Sequence, residues 1–404
     1  MSATPRKIEK NIMNGDQSKI LVVEDNQAMR KMLESMLIEL GYHNYGSAVN
    51  GLKAWEIIQE GTIDLVLCDY LMPEMNGLEL LRLIRKSKSF YDMPFIMVTG
   101  ADNRTDFMRS VQAEVDHYLL KPPNISQLQM LLKKAIAARK NPSAFDKAVS
   151  RGKYFFLNSE YQPAMEQFET AGRERIDSAL PYYYMALIHQ QLGNEKMAER
   201  NFKKSLIIEE QFISSLLALS EIYESRLDYV NLAVYLEKAT KVVNDTFEIH
   251  IGLARACTQT GDIDRTRTHL DEAVRLAKNN PDLIKEVVEG YIDAGLVDEA
   301  DELFSHKLED DNKETTIHFL NRLGLRARKS GDFNKAREFY LSCLKLDPQH
   351  KIVNYNMANL LFIQRQYEAA ESYLKKTLRL HSDFTQAQDL MDAVQKKIAG
   401  ALGP

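Results

Sequence analysis

Between Lys19 and Lys121, short apolar runs alternate with amphipathic stretches. The runs are Ile20–Val23, Ile63–Cys68, Phe95–Val98 and Tyr118–Leu120, with a weaker one over His43–Ala48. They are nearly continuous and rich in β-branched residues, the pattern of strands covered on both faces of a parallel sheet. Between them apolar positions return at helical spacing over Ala28–Leu40, Val49–Gln59, Leu78–Arg85, Asp106–Gln112 and Ile125–Ala138. This alternation predicts a doubly wound α/β domain with right-handed crossovers. In such a domain the ligand crevice lies at the carboxyl ends of the strands. Beyond Arg139–Ala144 the strand pattern stops and the chain reads as amphipathic helix throughout.

The helical half has a period. Phe168, Phe202, Leu236, Leu270 and Phe304 follow one another at intervals of 34 residues. Small residues precede such anchors by four at Ala164, Ala198, Ala300, Ala336 and Ala370, and glycines fall in step at Gly193, Gly261, Gly295 and Gly331. Two further copies begin at Gly331 and Gln366. A helix–turn–helix of this length, small where its helices cross, resembles the tetratricopeptide repeat (TPR). The reading is about seven copies from Phe145 to about His381, closed by a capping helix over Phe384–Ile398. The third copy, Ile213–Thr246, is degenerate: Leu232 takes the alanine position, and Arg226-Leu227-Asp228 stands where a turn glycine is expected. Repeats of this kind stack into a superhelix whose concave face holds a peptide or a partner helix.

Length and charge narrow the classes. A chain of 404 residues exceeds what one core holds. The expected division is a tail over 1–18, an α/β domain over 19–141 and helical repeats over 142–398. The beginning of the chain lacks the apolar run of a secretory signal, and the apolar stretches are too short to span a bilayer. Three distant cysteines (Cys68, Cys257, Cys343) fit a reducing compartment, so the cytoplasm is expected. Residues 18–141 carry fifteen acids and fifteen bases, and residues 142–404 carry 40 acids against 34 bases. That balance disfavours a DNA-binding output, which needs a concentrated basic face.

Candidate chemistry gathers at the predicted strand ends. Strand one runs into Glu24 and Asp25, strand three into Asp69, strand four into Thr99 and strand five into Lys121. Clustered carboxylates repel unless a cation joins them. A small hard cation that keeps some waters suits an oxygen cage, and Lys121 adds a compact positive charge. The group therefore suits handling of an anion, phosphate above all, with a metal.

The stretches 20–25, 68–77, 98–100 and 118–122 together resemble the receiver domain of two-component response regulators. Their intervals fit as well, with 44 residues from Asp25 to Asp69, 30 to Thr99 and 22 to Lys121. The resemblance implies a flavodoxin-like sheet of strand order 2-1-3-4-5. It implies that Asp69 accepts a phosphoryl group from a sensor histidine kinase or phosphotransfer protein, and that Asp25, Asp69 and the Leu71 backbone carbonyl ligate Mg²⁺, with Glu24 acting through water. Thr99 and Lys121 would contact the phosphoryl oxygens, and Thr99 and Tyr118 would form the switch. A cis bond before Pro122 is implied too. Glu114 stands where the family commonly has glycine, and Gly100 where alanine is more usual. Leu71 and Ala101 offer no side chain to orient a hydrolytic water, so a phospho-form that is not short-lived is expected.

The resulting expectation is a phosphoacceptor without other enzymatic activity, whose repeats bind an unidentified protein or peptide under phosphorylation control. A phosphorelay intermediate or phosphate sink with the repeats as constitutive scaffold is one alternative. A repeat-based peptide sensor acting on the receiver is another. Tyr183, in the run Tyr182–Tyr184, is the candidate partner-binding aromatic. The face around Tyr118 and the repeats are both candidate surfaces for homodimerisation.

Overall fold

The computed structural model describes residues 17–100, 115–243, 246–308 and 312–401. The chain forms two compact units, Met1–Asn244 and Asp245–Pro404. The expected helix over Asp106–Gln112, and the residues Ala101 and Glu114, lie outside the described residues.

The first unit opens with strands β1 (Ile20–Val23), β2 (Tyr45–Ala48), β3 (Leu65–Asp69), β4 (Phe95–Thr99) and β5 (His117–Leu120). All pairings are parallel and the order is β2-β1-β3-β4-β5, as the sequence implied. Every residue of β1, β3 and β4 is buried, which explains their unbroken apolar character. The edge strands β2 and β5 are only partly covered, so Tyr45, Gly46, Ser47, His117 and Tyr118 break the run.

Among the described residues, four helices flank the sheet: α1 (Gln27–Glu39), α2 (Gly51–Gln59), α3 (Gly77–Lys86) and α4 (Ile125–Lys140). One sheet face packs Ile20, Val22, Leu65, Leu67, Ile96 and Val98 against Leu33 and Leu37 of α1 and Leu128 and Leu132 of α4. Each helix starts on an asparagine: Asn26, Asn50, Asn76 and Asn124 all accept hydrogen bonds from first-turn backbone N–H groups. Asparagine suits this position because its short carbonyl reaches donors that the helix leaves without partners. These caps stand where strand ends turn into helices, so they also fix the loops that carry the acids.

The repeats begin in the same unit. Helices α5 (Ala144–Leu157) and α6 (Tyr161–Glu174), α7 (Leu180–Gln191) and α8 (Glu195–Ile208), and α9 (Ile213–Ser225) and α10 (Tyr229–Thr240) pair as hairpins. Ser143 and Asp146 close a capping box at the head of α5. α5 packs on α3 of the α/β domain, where the Tyr91 and Tyr154 rings lie 5.3 Å apart and Asn158 Nδ2 donates to the Lys86 carbonyl at 3.3 Å.

The second unit continues the pattern. Hairpins pair α11 (Phe247–Thr260) with α12 (Ile263–Ala277), α13 (Pro281–Ala294) with α14 (Val297–Lys307), α15 (Lys313–Ser330) with α16 (Phe333–Leu346), and α17 (Lys351–Ile363) with α18 (Tyr367–Leu380). The closing helix α19 (Thr385–Ala401) packs on α18.

One backbone feature marks each hairpin. Residues 159, 193, 227, 261, 295, 331 and 365 all have positive φ at the turn between paired helices. Four are glycines; Ser159, Leu227 and Arg365 are not, which is why the glycine count alone understates the repeats. The interval from 295 to 331 is two residues longer than the rest, and this is where the period read from the anchors slips. The anchors Phe168, Phe202, Leu236, Leu270, Phe304, Tyr340 and Leu374 are all buried, as are the residues four before, alanine in five copies and Leu232 and Thr266 in the others.

Candidate functional site

Asp69 ends β3 and Thr99 ends β4, while Glu24 and Lys121 directly follow β1 and β5. The parallel register brings these ends to one edge: Asp69 is level with Val98, and Thr99 with Leu120. The Lys121 N–H donates to the Thr99 carbonyl at 2.8 Å and the Tyr70 N–H to the Val98 carbonyl at 2.9 Å, tying the three loops together.

Carboxylate oxygens of Glu24, Asp25 and Asp69 lie within 4.8 Å of one another. Lys121 Nζ reaches Glu24 Oε2 at 2.8 Å and Asp69 Oδ1 at 2.9 Å. Glu24 and Asp69 are buried, whereas Asp25 is exposed. Thr99 is fully buried, Leu71 is exposed, and Tyr118 is exposed on the edge strand. The Lys121–Pro122 bond is cis.

Burial pushes the Asp69 carboxyl above the ordinary range; the Lys121 ammonium and the Tyr70 N–H pull it back only in part, and Asp25 adds repulsion. Glu24 is raised for the same first reason, with Lys121 opposing and Asp69 reinforcing. Burial alone would lower Lys121, but its hydrogen bonds to the two carboxylates carry it above its usual value. One ammonium thus faces three carboxylates, and the site carries an excess of negative charge.

That excess is the test of fit for a metal. Oxygen donors alone, two of them buried and one at the open side, suit a divalent cation that keeps part of its water shell. Glu24, Asp25 and Asp69 would hold it, and the cation would neutralise their repulsion and polarise an incoming phosphoryl oxygen.

Two supporting residues have roles that the sequence did not assign. Arg30 Nη1 on α1 donates to the Glu24 carbonyl at 2.5 Å and the Asp25 carbonyl at 3.3 Å, fixing the acidic turn. Only its position one helical turn beyond the acid pair hints at this. Gly77 opens α3 so close to β3 that a Cβ there would lie 2.2 Å from the Asp69 carbonyl oxygen, and its N–H donates to the Tyr70 carbonyl. Only glycine lets α3 start against the strand that carries Asp69.

Tyr183 is half-buried. Its ring packs against Tyr184, Phe202 and Phe212 at centroid distances of 5.4–5.8 Å. The tyrosine of the run that borders an open groove is Tyr182. Helical periodicity alone could not separate the two, because consecutive residues point about 100° apart and the groove side was unknown.

Fold and site together define a receiver: a doubly wound domain that presents acids, a hydroxyl and a lysine at the carboxyl edge of its sheet. The model of the response regulator receiver domain matches residues 20–133, and a tetratricopeptide repeat model matches residues 327–394. A chemotaxis protein CheY homolog of Campylobacter jejuni is 36% identical over 105 residues, 26% of this chain and 81% of that protein. Chemotaxis protein CheY1 of Helicobacter pylori is 36% identical over 105 residues, 26% of this chain and 85% of its own length. CheY-3 of Vibrio cholerae is 34% identical over 116 residues, 29% of this chain and 89% of that one. The chain belongs to the response regulator receiver family, with tetratricopeptide repeats following the receiver. Among the described residues, no helix is long and apolar enough to cross a membrane.

Proposed function

We propose that this response regulator accepts a phosphoryl group on Asp69 and that the phosphorylated state changes how its repeats engage another protein. The observation that carries the reading is the placement of Asp69 within reach of Lys121, Glu24 and Asp25 while α3, seated on the Asp69 carbonyl, packs on the first repeat helix. In the transfer step an Asp69 carboxylate oxygen attacks the phosphorus of a phosphohistidine. The P–N bond breaks as the O–P bond forms, and the freed imidazole takes up a proton from solvent. Mg²⁺ would supply charge neutralisation between the acids and the transferring group. Lys121 Nζ, already on Asp69 Oδ1, would pair with a phosphoryl oxygen, and the buried Thr99 hydroxyl would turn toward another. The donor is a sensor histidine kinase or phosphotransfer protein, and the setting is cytoplasmic.

Phosphorylation adds charge and strong acceptor oxygens beside the start of α3. Because Lys86 at the end of α3 accepts from Asn158, and Tyr91 in the following turn packs near Tyr154, a displacement of α3 would reach α5 directly. Incubation with acetyl phosphate and Mg²⁺, followed by intact-mass measurement, tests the first half of the reading. One added phosphoryl group on the wild type and none on Asp69→Asn is expected; equal labelling of the two proteins would overturn it.

A further inference from the structure

The second hairpin carries a groove of about 690 Å³ that the receiver chemistry does not use. Ile176, in the loop before α7, and Ile207, near the end of α8, line it and are 78% and 85% exposed. Tyr182 forms part of the same lining. Two branched aliphatic side chains left this open on one hollow keep apolar surface in water that burial would favour by about 25 cal/mol per Å².

The walls are cationic. Lys196, Arg200, Lys203 and Lys204 lie on one stripe of α8, at spacings of a helical turn, and Ile207 continues it. Glu199 is the acid among them, and its charge is spent locally. Its oxygens meet Lys203 Nζ at 2.6 Å, Arg226 Nη1 at 2.6 Å and the Tyr223 hydroxyl at 2.7 Å. Against a burial effect that would raise it, these hydrogen bonds hold the carboxyl at about 2. Lys204 Nζ lies 4.1 Å from the Tyr182 ring centre. Among the described residues neither Lys196 nor Arg200 has an acidic partner. Like charges a turn apart, as in Lys196/Arg200 and Arg200/Lys204, destabilise a helix. The stripe therefore opposes local stability, on a chain whose net charge is −5.

We propose that this groove docks an acidic segment of a partner protein, with aliphatic or aromatic side chains seated between Ile176, Tyr182 and Ile207 and carboxylates meeting Lys196, Arg200 and Lys204. Single-stranded nucleic acid would need open aromatic faces, and the one ring here is capped by Lys204. The proposal is independent of Asp69.

The test is selection of a displayed library of random short peptides on the full chain, followed by fluorescence anisotropy with the most enriched sequence. Enrichment of peptides that combine Asp or Glu with Leu, Ile or Phe is expected. The double variant Lys196→Glu/Arg200→Glu should weaken the chosen peptide at least about tenfold, the loss of two charge contacts. Ile207→Ser, at an exposed position with no fold to lose, should weaken it by about fivefold to tenfold. No enrichment, or enrichment that ignores both variants, would overturn the proposal. So would wild-type sedimentation with phosphatidylserine vesicles that Lys196→Glu/Arg200→Glu abolishes while no peptide is selected, since the site would then be one for lipid.

Discussion

Asp69, Glu24 and Lys121 meet at a compromise that metal-free protein satisfies poorly. Burial raises both carboxyls, so the folded chain holds protons at a pH where the unfolded chain has released them. The stability from these groups is present at acid pH and lost as pH rises through their folded values. At neutral pH the ionised acids therefore work against the fold until a cation joins them. Mg²⁺ should raise Tm at neutral pH and lose this effect in acid, as a pH series by calorimetry would show. Asp69→Asn should raise Tm without Mg²⁺ and remove most of the increment; a variant that keeps the full increment would place the cation elsewhere. Lys121→Gln should slow labelling by acetyl phosphate about 10- to 100-fold, the worth of one charge-assisted hydrogen bond of about 1.5–3 kcal/mol. Glu24, Asp25, Asp69, Thr99 and Lys121 were legible in the sequence because each ends a strand or follows one. Arg30 and Gly77 were not, since their roles depend on where α1 and α3 land in space.

At the scale of elements, the repeat turns show how a backbone constraint outlives its usual residue. Leu227 occupies the left-handed position with φ 57° and is 67% exposed, so its side chain contributes strain with little packing in return. Leu227→Gly should be neutral to stabilising by up to about 1 kcal/mol, read from urea unfolding. At Gly324 the requirement is space: a Cβ would lie 2.5 Å from the Tyr340 ring. Gly324→Val should cost about 1–3 kcal/mol or more, since α15 and the anchor ring cannot both keep their places. The period of anchors exposed the repeat architecture directly. The turns at Ser159 and Arg365 escaped, and that at Leu227 showed only as a missing glycine, because residue type is only a proxy for φ; the register slip before Gly331 was visible only as a changed interval.

At the scale of the whole molecule, the path from Asp69 to the repeats is short within the first unit: Asp69, Gly77, the length of α3, then Tyr154 and Asn158 on the first repeat hairpin. The sequence shows that Arg139–Ala144 is a brief junction, but not that α5 returns to α3, because that contact spans residues far apart in the chain. Tyr154→Ala with Asn158→Ala should leave labelling of Asp69 within about twofold of wild type, because neither touches the acids. Any effect of that labelling on the repeats should be lost. The most direct measurement is hydrogen exchange across α3 and α5 with and without beryllofluoride and Mg²⁺, in wild type and in Asp69→Asn. Altered protection in both helices of the wild type, absent in Asp69→Asn, is the expected result. A change confined to the receiver, or an identical change in Asp69→Asn, would contradict phosphorylation control of the repeats.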